Sequence, residues 1–175
     1  MQGLNGFYKN IHLIIAVRFH SWRKPLRDQS QLAQRLRDLF SSQSLAVLAT
    51  QGDGQPYGSL VAFAATDDLR HLLFATTRAT RKYANMMKDP RVAMVMDSRS
   101  NEESDFHQAI AVTATGQVND AVGSEKDRLV KLYLSKHPHL VDFVSSPTCA
   151  LVTLEVETYY VVSQFQNVTE FHIKR

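Results

Sequence analysis

The stretch Phe74-Ala-Thr-Thr-Arg-Ala-Thr-Arg-Lys-Tyr83 lies where an extended segment gives way to a helix. Its apolar start is typical of a β-strand, and its second half begins a helical pattern. At such a junction the first helical N–H groups lack partners, and the helix dipole favours negative charge. Arg81 and Lys82 add two positive charges, and the hydroxyls of Thr76 and Thr80 add donors. We therefore expect this corner to bind the phosphate of a cofactor.

A plainer interpretation of the same ten residues stays open. Thr80 would then be an ordinary helix N-cap, and the neighbouring cations Arg78, Arg81 and Lys82 would be solvated surface charges. A short motif does not separate these two interpretations, so the surrounding chain has to be considered.

Strand-length segments flank the corner on both sides. Before it, the segments 45–50, 55–65 and 70–76 follow one another, and the first two are joined by the strong turn signal Gln51-Gly-Asp-Gly54. Consecutive hairpin-linked strands predict an antiparallel sheet. An amphipathic helix is predicted over residues 28–41, ahead of the first strand.

After the corner, Asp89-Pro90 ends the helix, because a residue before proline avoids helical angles. Ser124 and Asp127 stand at capping-box distance and predict a helix over 124–136, with Tyr133 on its apolar face. The other predicted elements are strands at 91–97, 110–118 and 149–164, a short helix at 140–144 and an edge strand at 167–173. This inventory predicts a mainly β fold with inserted helices, a six-stranded antiparallel barrel.

Composition favours one folded domain. The chain has 175 residues, a net charge of +3 and 44% hydrophobic residues, which suits a soluble protein and is too weakly basic to indicate nucleic-acid binding. Its single cysteine, Cys149, excludes an intramolecular disulfide framework and fits a cytoplasmic location. The apolar run 13–17 is too short to cross a membrane. Residues 1–27 are interpreted as an N-terminal arm, and 28–175 as the domain.

The run from Leu45 to Asp97 resembles the pyridoxamine 5′-phosphate oxidase-like FMN-binding split barrels. The resemblance rests on Leu45-Ala-Val-Leu-Ala-Thr-Gln-Gly-Asp-Gly-Gln-Pro-Tyr-Gly-Ser59, Phe74-Ala-Thr-Thr77, Thr80-Arg-Lys82 and Asp89-Pro-Arg-Val92, in that order. It implies a split barrel that forms a homodimer with FMN at the subunit interface. The implied cofactor-binding residues are Ser59, Leu60, Val61, Ala62, Ala75, Thr76, Thr80, Arg81 and Lys82.

The chain departs from the vitamin B6 oxidase at positions near the flavin. Gly58, Ser59 and Phe63 stand where that oxidase carries basic residues, and the end of the chain lacks its substrate-binding motif. The resemblance therefore implies an FMN-dependent oxidoreductase acting on a different, unidentified small molecule. Other branches of the superfamily bind haem or use a deazaflavin, and a non-catalytic flavin-binding module is a further alternative.

Polar residues elsewhere yield weaker candidates. Gln108 could reach an edge of the flavin, although an ordinary strand-end residue is the alternative. His172 could be an axial haem ligand, or an exposed histidine on an edge strand. The pair His137 and His139 lies at a helix break and is predicted to be on the surface, without a metal. No set of side chains suggests acid–base or nucleophilic catalysis, so no catalytic residue is assigned.

Overall fold

The computed structural model describes residues 26–100, 102, 105, 109–163 and 167–173, with the side chains of 26–28 left aside. Most of the arm predicted over residues 1–27 therefore lies outside the described residues, as does Gln108. The described helices are α1 (Leu26–Ser42), α2 (Arg81–Lys88), α3 (Gly123–Lys136) and α4 (Val141–Ser145), with a 3-10 turn at Pro138–Leu140. The described strands are β1 (Leu45–Gly52), β2 (Gln55–Ala65), β3 (His71–Thr77), β4 (Arg91–Asp97), β5 (Ile110–Asp120), β6 (Cys149–Ser163) and β7 (Asn167–His172).

The strands close into a barrel through β6. In the described residues the sheet order is β3-β2-β1-β4-β5-β6-β7, and β3 also pairs with β6, from His71 opposite Glu155 to Thr77 opposite Cys149. All pairings are antiparallel, so the fold is a closed six-stranded antiparallel barrel with helices, which confirms the predicted fold class. The seventh strand, β7, pairs with the second half of β6, from Thr158 to Ser163.

Side chains that alternate along the strands fill the barrel interior. Helix α1 packs against this interior through Leu36, Leu39 and Phe40, which are buried in the same cluster as Phe63 and Tyr159. The ring centroid of Phe40 lies 5.9 Å from that of Phe63 and 5.7 Å from that of Tyr159. The apolar side chains at positions i, i+3 and i+4 of α1 thus form the contact that positions the helix.

Helix α3 covers the outside of the barrel over β2, β3 and β6. Leu129 and Tyr133 of α3 form a second buried cluster with Ala64, Leu73 and Leu151 of these strands. Outward-facing Ala62 and Ala75 pack against the same cluster. The small alanine side chains leave room for an aromatic ring close to the backbone of both strands.

Three local expectations are wrong. Helix α3 begins at Gly123 with Val122 as its N-cap and no side-chain cap, so Ser124 lies inside the helix. Gly123 has φ of +63°, a conformation that glycine adopts readily and that starts the helix one residue early. The spacing of Tyr83, Met86 and Met87 predicts that all three face the sheet, but Tyr83 and Met86 are buried whereas Met87 is 55% exposed. His137 is buried and not on the surface.

Candidate functional site

Strands β2 and β3 separate along part of their length. They pair only from Phe63 opposite Phe74 to Ala65 opposite Leu72. Strand β2 nevertheless starts at Gln55, and β3 continues to Thr77. The space between residues 59–62 of β2 and residues 75–77 of β3 is called the β2–β3 gap below.

Polar groups of β2 are directed into this gap. The N–H of Phe63 donates to Ser44 O at 3.3 Å, so odd-numbered residues of β2 direct their backbone groups toward β1. The backbone groups of Leu60 and Ala62 therefore point toward the β3 side, where Leu60 has no ladder partner. The Ser59 hydroxyl is buried without a hydrogen-bond partner among the described residues. Its side chain lies on the same side of β2 as those of Val61 and Phe63, which face the barrel interior.

The N-terminus of α2 lies at the end of β3 and is capped by Thr80. The Thr80 hydroxyl accepts from Tyr83 N–H at 3.3 Å and donates to Thr77 O at 2.9 Å. It also lies 3.1 Å from the hydroxyl of Thr76. Thr80 therefore has the N-cap role of the plainer interpretation. The backbone N–H groups of Arg81 and Lys82 have no acceptor among the described residues and remain open for an anion.

The cations around α2 differ in whether a carboxylate neutralises them. Lys88 lies 3.2 Å from Asp53, and Arg91 lies 2.6 Å from Asp89. By contrast, neither Arg81 nor Lys82 forms an ion pair within the described part of the chain. The Arg81 guanidinium lies 4.9 Å from the ring centroid of Tyr57 on β2. Arg81 thus extends from the helix start to the strand on the other side of the β2–β3 gap.

Arg78, the third cation of the stretch, is engaged elsewhere. It forms an ion pair of 2.5 Å with Asp120, and it also contacts the hydroxyl of Tyr83. The Tyr83 hydroxyl donates to Asp120 at 2.9 Å. The hydrogen bond that Arg78 donates to Asp120 raises the pKa of the Arg78 guanidinium. Asp120 therefore neutralises Arg78, while Arg81 and Lys82 keep their charge beside the gap.

One face of α3 binds backbone carbonyls near the gap. Tyr133 donates to Ala62 O at 3.3 Å, and His137 Nε2 lies 2.8 Å from Phe63 O. Lys136 Nζ donates to Phe40 O at 2.6 Å and to Gln43 O at 2.7 Å, at the C-terminus of α1. These side chains stand at i, i+3 and i+4, so they share one helix face. This set was not predicted from the sequence, although its i, i+3, i+4 spacing was an available signal.

Burial changes the titration of this face. Burial lowers the pKa of Lys136 to about 8. The pKa of His137 is also lowered, chiefly by burial and further by the positive charges of Lys136 and His139. Because Phe63 O can only accept a hydrogen bond, His137 carries a proton on Nε2.

The depressed pKa of His137 predicts acid sensitivity. When the unfolded chain binds a proton that the folded chain resists, stability rises with pH. The free energy of unfolding should therefore fall as pH decreases below about 6.5, the usual histidine value. Urea unfolding at pH 7.5 and 5.5 measures this fall. It should shrink in His137→Gln, which keeps a donor, and persist in His139→Gln; equal falls in all three proteins would contradict the prediction.

An apolar surface lies on the outside of the barrel beside the gap. Leu60 is 67% exposed, Leu45 54% and Val47 43%. Leu60 is opposite Val47, and Val47 is also opposite Val95 of β4, so these side chains share one face. Because Leu60 belongs to both the gap and this face, the two features are continuous. We call this surface, formed by Leu45, Val47, Leu60 and Val95, the β1–β2 face.

The predicted site residues have different outcomes. The hydroxyls of Thr76 and Thr80 lie 3.1 Å apart, Ala62 and Ala75 pack against the cluster of Tyr133, and Val61 is buried in the barrel interior. Leu60 is exposed on the outer face of β2, and Arg81 and Lys82 begin α2. Gln108 lies outside the described residues. His172 lies on β7, with Nδ1 3.0 Å from the Thr158 hydroxyl and Nε2 3.1 Å from Glu170. Within the described residues, no group of three or more metal-ligating side chains is arranged to hold a metal ion.

Comparison with known proteins identifies the family. The family model described as pyridoxamine 5′-phosphate oxidase matches residues 32–163. The chain therefore belongs to the pyridoxamine 5′-phosphate oxidase family. Comparison with curated proteins gives no match. No helix in the described residues has the length and apolar character needed to span a membrane.

Solved structures share the fold at low sequence identity. A haem-binding protein from Mycobacterium smegmatis has a TM-score of 0.71 and 18% identity, over 80% of this chain and 57% of that protein. An FAD-binding protein from Mesorhizobium loti has a TM-score of 0.59 and 19% identity, over 74% of this chain and 90% of that protein. A third structure is a protein from Clostridium acetobutylicum related to general stress protein 26, described as of the pyridoxinephosphate oxidase family. Its TM-score is 0.63 and its identity 13%, over 82% of this chain and 95% of that protein. The chain thus spans little more than half of the mycobacterial protein.

Proposed function

We propose that this protein binds FMN, with the flavin ring in the β2–β3 gap and the phosphate at the start of α2. The observation that carries the proposal is the pair of cations Arg81 and Lys82, which have no carboxylate partner in the described part of the chain, at a helix N-terminus beside this gap. The helix start offers two open backbone N–H groups to the same anion. A phosphate dianion matches this arrangement in charge and in its number of acceptor oxygens.

The gap suits a flat heterocycle with polar edges. The backbone groups of Leu60, which have no ladder partner on the β3 side among the described residues, supply a donor and an acceptor. Apolar walls next to a few fixed polar groups are typical of cofactor sites. The residues present therefore fit a flavin ring as well as its phosphate.

When bound, the flavin would supply electron or hydride transfer to a small molecule. The contribution of the chain is then to hold the phosphate, orient the ring and keep water from one of its faces. We assign no catalytic side chain, and the substrate of such an oxidoreductase is not defined by the residues of the gap.

A homodimer is part of the proposal. The β1–β2 face exposes three large apolar side chains next to the gap, and contiguous apolar surface of this kind marks an interaction site. A second copy seated on this face would cover Leu60 and close the open side of the gap. The flavin would then lie at the subunit interface, as the family resemblance implies.

Haem is the competing ligand, and the haem-binding protein of M. smegmatis supports it. The FAD-binding protein of M. loti supports a flavin, although a larger one. His172, the candidate axial ligand, has both ring nitrogens engaged by Thr158 and Glu170. Those contacts would have to break before His172 could ligate iron, which favours the flavin.

Titration of the purified protein with FMN, FAD, riboflavin and haem tests the proposal. FMN should bind with quenched flavin fluorescence and a perturbed visible spectrum, more tightly than riboflavin, because only FMN offers the phosphate. A Soret shift with haem, lost in His172→Ala, together with no response to either flavin nucleotide, would replace this proposal with haem binding.

A further inference from the structure

Tyr133 occupies the point where β2 and β3 separate. The hydrogen-bonded rung at Ala64 and Leu73 belongs to the paired part of the ladder. The antiparallel pattern would place the next rung of that type between Ala62 and Ala75. The two strands do not pair at these residues, and the hydroxyl of Tyr133 lies between them.

The Tyr133 hydroxyl takes over the hydrogen bonds of the missing rung. It donates to Ala62 O at 3.3 Å, and it accepts a hydrogen bond from the backbone of Ala75. Its side chain is almost completely buried, within the cluster that joins α3 to the strands. A tyrosine hydroxyl both donates and accepts, so one atom satisfies a carbonyl on one strand and an N–H on the other.

Neighbouring contacts hold Tyr133 in place. His137 and Lys136, on the same helix face, bind Phe63 O and the end of α1. The ring of Tyr133 lies 5.0 Å from that of His137. The hydroxyl therefore has little freedom to leave the strands, and burial raises the pKa of Tyr133 to about 12, which keeps its proton in place.

We propose that Tyr133 is a positioning residue for the cofactor, because its hydroxyl replaces the Ala62–Ala75 rung and fixes where β2 and β3 part. This proposal rests on the proposed function for the identity of the ligand. Ala62 and Ala75 are at the closed end of the gap, so the position of Tyr133 sets how far a flavin ring can enter. The start of α2, with Arg81 and Lys82, follows the C-terminal end of β3, and Tyr133 forms no hydrogen bond with it among the described residues.

Tyr133→Phe is the direct test, and Tyr159→Phe is a matched control. Tyr159 is also fully buried and donates to a backbone carbonyl, Leu69 O at 2.8 Å, away from the gap. We expect Tyr133→Phe to weaken FMN and riboflavin equally, each by about tenfold, the effect of losing one such hydrogen bond. The visible spectrum of the bound flavin should change as well, whereas Tyr159→Phe should leave affinities and spectrum unchanged.

Amide hydrogen exchange of the cofactor-free protein separates the two proposals. Tyr133→Phe should speed exchange of the Ala75 N–H and leave the Leu73 N–H protected, whatever the ligand is. Tyr133→Met, which keeps apolar bulk without the hydroxyl, should change the exchange of these two N–H groups in the same way as Tyr133→Phe. Unchanged Ala75 exchange, or a loss confined to FMN, would overturn the role of Tyr133. A wild-type protein that binds no flavin would overturn the proposed function, and the exchange result would still decide whether Tyr133 replaces the rung.

Discussion

Replacing Arg81 and Lys82 together by alanine is expected to weaken FMN binding by at least about a hundredfold, while riboflavin affinity changes by less than about threefold. Each side chain would form a charge-assisted hydrogen bond to the phosphate, and losing such a bond costs about 1.5–3 kcal/mol. Riboflavin lacks the phosphate, so it reports on the ring alone. Fluorescence titration with both ligands measures the two affinities.

The matched control for this double variant removes two cations that already have partners. Lys88 and Arg91 are paired with Asp53 and Asp89, so Lys88→Ala with Arg91→Ala makes the same change in net charge. This control should bind FMN nearly as the wild type does. Equal losses in both double variants would mean that net charge alone attracts FMN, and equal losses for FMN and riboflavin would mean that the phosphate is not bound at α2.

Leu60→Asp is expected to convert a dimer into monomers, with a dissociation constant raised by more than about a hundredfold. A two-fold interface presents Leu60 twice, so each dimer would bury two unpaired carboxylates. Because Leu60 is largely exposed in one chain, the substitution should leave the fold of that chain intact. Sedimentation velocity measures the association state, and FMN affinity should fall with it.

Val168→Asp is the control for the dimer prediction. Val168 is 60% exposed and lies on β7, away from the β1–β2 face. An aspartate there should leave association and FMN binding unchanged. A wild-type protein that sediments as a monomer at micromolar concentration, or a Leu60→Asp variant that stays dimeric, would remove the β1–β2 face as the interface.

The strands were predictable because short apolar runs stand between clear turn signals. The turn Gln51-Gly-Asp-Gly54 and the break Asp89-Pro90 fix their neighbours through backbone chemistry alone. The start of α3 was not predictable in the same way, because Gly123 offers a positive φ that competes with the Ser124 cap. Which residue begins the helix depends on the path of the chain from the preceding strand, and a local sequence pattern does not contain that information.

The candidate phosphate corner could be proposed from sequence because its parts are contiguous. The sequence did not reveal which of these cations has an ion-pair partner, because Asp120, which neutralises Arg78, lies 42 residues further along the chain. Tyr133 and His137 were assigned to an apolar face and to the surface. Their roles depend on backbone carbonyls of β2 that become available only where β1 and β3 stop pairing, and this is a property of the tertiary arrangement.

The shared edge of β6 also determines when the site can exist during synthesis. Strand β3 carries one wall of the gap, and its other edge stays unpaired until Cys149 to Glu155 have left the ribosome. Joining segments so distant in sequence makes barrel closure slow compared with the local β1–β2 hairpin. A nascent chain that already contains Arg81 and Lys82 therefore lacks the closed barrel, and binding of the proposed cofactor would have to follow release of nearly the whole domain.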